Sequence, residues 1–103
     1  MDSLNISFNN IEGKATVTVC GEIDIHSQQQ FKTKLNEIIL NLKDNLYVDC
    51  TELNYIDSTG LGILVGALKE VKKENNNIYI SNLKDNIKKL FNITGLDKLF
   101  IIE

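Results

Sequence analysis

Residues 55–66 read YIDSTGLGILVG, and this stretch predicts the start of a helix. An acid and two hydroxyl residues, Asp57, Ser58 and Thr59, directly precede apolar residues that recur at the spacing of one helix face. Each of these three side chains can accept a hydrogen bond from the free N–H groups of a first turn, so each is a candidate N-cap. The predicted helix runs from Ser58 to about Asn75, and its apolar face consists of Leu61, Leu64, Val65, Leu68 and Val71.

The same stretch carries three glycines, Gly60, Gly62 and Gly66, within two turns of the predicted helix. Each glycine costs a helix about 1 kcal/mol relative to alanine, so another interaction should compensate. Because Gly62 and Gly66 are four residues apart, they lie on one side of the helix, away from the leucine stripe. With Ile63 they would form a shallow, partly apolar patch. Two interpretations stay open: docking of another protein, and close packing against a neighbouring helix of the same domain.

The rest of the chain alternates between strand and helix patterns. Strands are predicted over 4–8, 15–20, 46–50, 78–80 and 100–102, with a hairpin loop over 9–14, a loop over 51–56 and a turn over 75–77. A helix follows Ser27, which has a capping-box spacing to Gln30. The buried face of this helix is predicted to be Phe31, Leu35, Ile38, Ile39 and Leu42. A third helix spans 85–92, with its apolar residues inward, and Gly95 ends it.

Strands that alternate with helices favour parallel pairing through right-handed crossovers, while the opening hairpin adds one antiparallel pair. The sequence therefore predicts a single α/β domain over 1–103. Its sheet would be mixed but mostly parallel, and its helices would pack on one face.

Composition excludes several classes of function. The 103 residues are 43% hydrophobic with a net charge of −3, and no apolar run is long enough to span a bilayer. The lysines form no stripe, which argues against direct nucleic-acid binding. The N-terminus lacks signal-peptide features, so a cytoplasmic protein with reduced thiols at Cys20 and Cys50 is expected.

Asp24 and Ser58 follow strands that would be neighbours, at the rim where open α/β domains gather ligands. From the residues alone, a plain helix cap is the favoured interpretation of Ser58, and a strand-end acid that of Asp24. An enzyme with a Ser58 nucleophile is disfavoured, because His26 is the only imidazole and the G-x-S-x-G elbow is missing. A nucleotide site is also disfavoured, because the glycine spacing departs from the dinucleotide fingerprint and no Walker sequence is present.

Three motifs support a resemblance to a known family. They are DSTGLG at 57–62, GEID at 21–24 and LFNITGL at 90–96. Because these motifs occur in the expected order, the chain resembles the anti-sigma factor antagonists over nearly its whole length. These are bacterial proteins built from a STAS domain. The similarity is strongest to the type that acts on the general-stress sigma factor, sigma-B. The resemblance implies the STAS fold described above; family members usually add a C-terminal helix that this sequence does not show before Glu103.

The resemblance also implies a function. Ser58 would be the phosphorylated hydroxyl, although spacing alone leaves Thr59 open. The unphosphorylated protein would bind an anti-sigma factor that is also a serine kinase, and this binding would release the sigma factor in a stress response. A metal-dependent serine phosphatase would restore the unphosphorylated protein. The chain itself would be no enzyme and would hold no cofactor or metal. An alternative within the family is a module of a larger sensory complex. The implied partner-binding residues are Asp24, Asp57, Thr59, Gly60, Leu61, Gly62, Ile63 and Gly66.

Overall fold

The computed structural model describes residues 4–103. Five strands and three α-helices follow one another in the order expected for an α/β domain. The strands are β1 (Asn5–Ile11), β2 (Lys14–Ile23), β3 (Leu46–Ile56), β4 (Ile78–Ser81) and β5 (Ile101–Ile102). The helices are α1 (Gln28–Leu40), α2 (Ser58–Lys72) and α3 (Asp85–Thr94), and a 3₁₀ turn over Leu96–Lys98 precedes β5.

The strands form one sheet in the order β1-β2-β3-β4-β5, antiparallel between β1 and β2 and parallel elsewhere. Val17, Val48 and Ile80 stand side by side across the three central strands and are buried. The neighbouring row on the opposite face contains Tyr47 and Tyr79, which stack at 4.6 Å between ring centroids and remain half-exposed. The helices therefore cover one face, and the predicted mixed, mostly parallel sheet is confirmed.

The helices contribute most of their predicted apolar faces to one continuous core, but Ile39 and Val65 are only half-buried, and Leu42 lies beyond the end of α1. Phe31 and Leu35 of α1 are buried, and Phe91 of α3 meets Phe100 edge to face at 5.9 Å. Gly95 follows α3 in the left-handed conformation (φ 78°), as predicted for a helix-ending glycine. Helix α2 ends at Lys72, before the predicted Asn75, because Asn75 itself adopts a left-handed backbone (φ 62°) that a helix cannot continue.

Two predicted loops are wrong. Residues 51–56 continue β3, because Leu53 and Ile56 are buried and pair with β2 across two register shifts. The loop predicted over 9–14 shrinks to the two-residue turn Glu12–Gly13, with φ of 52° and 78°. Positive φ at both positions is the geometry that matches strand twist in a tight hairpin, so the polar residues before the turn join the ladder.

The predicted capping box of α1 is also wrong. The Ser27 side chain makes no bond to a helix amide; its Oγ donates to the Glu22 carbonyl at 2.7 Å and accepts from the Asp24 amide at 3.0 Å. The Gln30 amide turns away and donates to the Leu4 carbonyl at 2.7 Å. Tertiary partners thus replace the local pair, since β1 and the end of β2 both offer unpaired backbone groups nearby.

Candidate functional site

The carboxyl ends of β2 and β3 lie together at the rim of the sheet, as the sequence predicted. Ile23 of β2 pairs with Ile56 of β3, and the next residue of each strand is an aspartate. The Asp57 amide donates to the Ile23 carbonyl at 3.2 Å, so the start of α2 is fastened to the end of β2. Asp24 and Ser58 therefore belong to neighbouring segments of one rim.

Asp57 is the N-cap of α2. Its Oδ1 accepts from the Gly60 amide at 3.1 Å, and its carbonyl accepts from the Leu61 amide at 3.0 Å. Ser58 and Thr59 are both exposed, and within residues 4–103 neither hydroxyl makes a hydrogen bond to the protein. The interpretation of Ser58 as a plain helix cap is therefore wrong, because Asp57 already performs that role and leaves the serine hydroxyl free.

Gly60 is required by packing inside the domain. A Cβ at this position would lie 2.7 Å from Cγ2 of Ile23 and 2.7 Å from Cγ1 of Ile56. Both atoms are attached directly to the β-carbon of a buried side chain and cannot swing aside. Gly60 and its neighbour Leu61 face the core, so their predicted part in partner binding can only be indirect and stays a prediction.

Gly62 and Gly66 behave differently from Gly60. Both are exposed, and a Cβ at either position would meet nothing within 4 Å. Close packing against a neighbouring helix is therefore wrong as an explanation for these two glycines. Since glycine weakens a helix and nothing in the domain requires it here, docking of another molecule is the interpretation that remains from the sequence.

An open groove of about 800 Å³ separates α1 from α2 and begins beside the candidate phosphorylation residues. On the α2 side it is lined by Thr59, by the half-buried Ile63 and by the two open glycines, Gly62 and Gly66. The α1 wall carries Lys32 and Leu40, and the Leu40 side chain is 84% exposed. The groove combines a glycine side without protruding side chains, apolar residues and one charge of each sign, Lys32 and Glu70, which suits a protein surface better than a small molecule.

Asp24 organises the loop between β2 and α1. Its Oδ1 accepts from the His26 amide at 2.9 Å, the Ser27 amide at 3.1 Å and the Ser27 hydroxyl at 3.3 Å. The His26 hydrogen bond, together with those of Ser27, lowers the pKa of Asp24 below its usual value against a smaller opposing effect of desolvation. Asp24 is therefore a carboxylate at neutral pH, and its first role is to hold its own loop at the rim.

Two exposed apolar residues at this rim were not singled out from the sequence. Ile25 is 69% exposed directly after Asp24, and Tyr55 is 47% exposed near the end of β3. Ile25 lies two residues beyond the end of β2, so an isoleucine outside the strand pattern was the available signal. The sequence does not indicate Tyr55, because it predicts a loop over 51–56, and an exposed aromatic side chain in a loop is not distinctive.

Within the described residues, no group of side chains supports a different kind of site. Residues 4–103 hold no cluster of three or more histidine, cysteine or acidic residues that would bind a metal ion, and His26 is exposed in the Asp24 loop. Burial raises the pKa of the Cys50 thiol to about 12, with the Asp49 charge adding to the effect, so this thiol is protonated. No helix in this part of the chain is long and apolar enough to cross a membrane.

Comparison with known proteins agrees with this architecture. The STAS domain family model matches residues 5–103. The anti-sigma-B factor antagonist of Bacillus subtilis is 34% identical over 100 residues, covering 97% of this chain and 91% of the relative. An anti-sigma factor antagonist from Mycobacterium paratuberculosis superposes with a TM-score of 0.86 at 23% identity, covering 97% of this chain and 85% of that one. The phosphorylated form of the Bacillus cell fate determinant SpoIIAA superposes with a TM-score of 0.69 at 20% identity, covering 96% and 91%.

Proposed function

The chain belongs to the STAS domain family, and we propose that it is an anti-sigma factor antagonist controlled by phosphorylation of Ser58. In this proposal the unphosphorylated protein binds an anti-sigma factor that is also a serine kinase, and that binding releases the sigma factor for transcription. Phosphorylation by the same kinase ends the binding, and a metal-dependent serine phosphatase reverses it. The protein acts by occupying a surface and catalyses nothing itself.

One observation carries the proposal: the helix is capped without Ser58. Asp57 accepts the hydrogen bond from the first turn, so the Ser58 hydroxyl is exposed and available to a kinase. A capping serine would instead have its Oγ engaged with a helix amide, so its modification would act on the cap itself. At Ser58 the modification changes the surface and leaves the cap in place.

The position of Ser58 also lets the fold accept a phosphate. Ser58 is the first residue of α2, where free amides and the helix dipole favour an anion. A phosphate adds nearly two negative charges at neutral pH, next to Asp57 and on the same rim as Asp24. We therefore expect little change in the domain and a large change in the potential that a partner meets at this rim.

The docking surface in this proposal starts at Ser58 and continues along the groove. Thr59, Gly62 and Gly66 offer a surface without protruding side chains, and Ile63 supplies apolar area between them. The rim adds the exposed Ile25 and Tyr55, which are typical of partner-binding residues. A dianion at the edge of such a surface would have to be desolvated on docking, which weakens binding.

The kinase reaction tests the proposal. Incubation with a cognate anti-sigma factor kinase and ATP should add the mass of one phosphoryl group, and Ser58→Ala should abolish the gain. Thr59→Ala is the matched control, because Thr59 is equally exposed in the same turn. Persistence of the gain in Ser58→Ala and its loss in Thr59→Ala would move the site to Thr59. Absence of any gain with every cognate kinase would remove the phosphorylation switch.

A further inference from the structure

The two edges of the sheet differ in how they are protected. Strand β5 has two residues, which is too short to template another strand. Strand β1 has seven, Asn5–Ile11, pairs with β2 without a bulge, and contains no charged residue and no proline. Natural edge strands normally carry charged residues, proline or a bulge, which prevent pairing with another chain. Strand β1 has none of these, and Phe8 is 42% exposed and Ile11 48% exposed.

The tight hairpin determines which backbone groups of β1 are free. In a two-residue hairpin the residues that flank the turn exchange both hydrogen bonds, and here those are Ile11 and Lys14. Hydrogen-bonded and non-hydrogen-bonded pairs alternate along an antiparallel ladder, so the N–H and C=O groups of Ile6, Phe8 and Asn10 point away from β2. The Leu4 carbonyl continues this series, and it accepts its hydrogen bond from Gln30 on α1.

We propose that β1 pairs antiparallel with β1 of a second copy of this chain, about a twofold axis through Phe8. In that register Phe8 faces Phe8, and Ile6 faces Asn10 in both directions. Each of these pairs has both its free N–H and its free C=O groups directed at the partner, so the ladder is satisfied on both sides. The two sheets join into one, and the Phe8 side chains meet on the face that carries the helices.

The charges beside β1 favour a second copy over an unrelated strand. A groove of about 430 Å³ between β1 and α1 is lined by Ile6 and by a polar face of α1 that includes Lys34 and Glu37. Within residues 4–103 the ion pair formed is Lys73–Glu70, so Lys34 and Glu37 make no ion pair there. A twofold axis places this face of α1 opposite the same face of the second copy, running in the reverse direction. Because the face carries one charge of each sign, the positive charge of each copy can face the negative charge of the other.

This interface is separate from the proposed switch. Ser58 follows β3, the middle strand of the sheet, while β1 is the outer strand on the far side of β2. A dimer through β1 therefore leaves the Ser58 rim open. Failure of the dimer would not affect the phosphorylation proposal, and failure of phosphorylation would not affect the dimer.

Sedimentation equilibrium from micromolar to millimolar protein should show a reversible monomer–dimer transition. Phe8→Lys places like charges directly opposite each other and should raise the dissociation constant at least tenfold. Ile11→Lys is the matched control, because its side chain is similarly exposed but lies at the end of the paired segment, and it should change the constant less than threefold.

Amide hydrogen exchange gives a second, residue-specific reading on the same protein. The amides of Ile6, Phe8 and Asn10 should gain protection as concentration rises, while those of Ser7 and Asn9, already bonded to β2, should not change. A monomer at millimolar concentration would overturn the proposal. A dimer that Phe8→Lys leaves intact, or that forms without protection of the alternate amides, would overturn it as well.

Discussion

Replacing Gly62 and Gly66 of α2 with alanine should stabilise the fold and weaken partner binding at the same time. Both glycines lie in the interior of a fifteen-residue helix, and a Cβ at either position meets nothing within 4 Å. Alanine is better than glycine in such a position by about 1 kcal/mol, because it restricts the unfolded chain and costs the folded helix nothing. The double variant should therefore gain roughly 1–2 kcal/mol if the two sites are additive.

Gly60→Ala is the matched control, since it makes the same chemical change in the same helix. Here the new methyl group would lie 2.7 Å from Ile23 and 2.7 Å from Ile56, both buried. Overpacking of a core typically costs about 1–3 kcal/mol, which equals or exceeds the gain in helix propensity. Gly60→Ala should therefore leave the stability unchanged or lower it by up to about 2 kcal/mol, whereas Gly62→Ala and Gly66→Ala should raise it.

Urea unfolding followed by far-UV circular dichroism measures both effects. Gly62→Ala and Gly66→Ala should raise the midpoint at unchanged slope, and a gain of 1 kcal/mol should raise the melting temperature by roughly 4–8 °C in a domain of this size. Binding to the anti-sigma factor should weaken at least tenfold, about 1.4 kcal/mol, in the double variant. A loss of stability in Gly66→Ala would refute the packing argument, and unchanged binding would show that the partner does not use this side of α2.

Further substitutions test the site, and thiol labelling tests the core. Ser58→Asp should abolish partner binding while leaving the unfolding midpoint within about 0.5 kcal/mol of wild type, as measured by calorimetric titration and urea unfolding. Asp57→Ala should cost about 1 kcal/mol through loss of the cap, and Asp57→Ser should recover most of it in the same assay. The pKa of Asp24 is lower in the folded state than its usual 3.8. Its contribution to the free energy of unfolding is therefore fully present above pH 3.8 and is lost as the pH falls through the folded-state pKa. Asp24→Asn should remove this pH dependence from the acid-unfolding curve. At pH 8 a thiol reagent should label the half-exposed Cys20 and leave Cys50 unmodified until the protein unfolds. Cys50 is protected because it is buried and its pKa is about 12. Modification of both cysteines in the native state would contradict this.

The sequence predicted the parts of the fold that depend on apolar periodicity. The buried faces of α1 and α2, the strand around Val48 and the helix-ending Gly95 all follow from spacing and from backbone preference. The position of the rim also followed, since parallel strands place their carboxyl ends at one edge. These features depend on local pattern, which a sequence displays directly.

The wrong predictions concern residues whose structure is set by distant partners. Residues 51–56 are strand because β2 extends alongside them, and Ser27 bonds Glu22 because the turn over 24–27 brings Ser27 back to the end of β2. Within the site, three adjacent residues were equivalent as caps until the geometry assigned the cap to Asp57. The three glycines looked alike in sequence, and only the atoms around each one separate the packed Gly60 from the open pair.

That separation explains how one short segment could both hold the fold together and carry the proposed switch. Asp57, Gly60 and Leu61 fix α2 to the ends of β2 and β3, so the backbone at the rim is set by residues other than Ser58, the proposed phosphorylation site. Ser58 and Thr59 occupy the outward positions of the same turn. Because stability and recognition use alternate sides of one helical turn, a charge added on the outer side changes what a partner meets without removing any contact on which the domain depends.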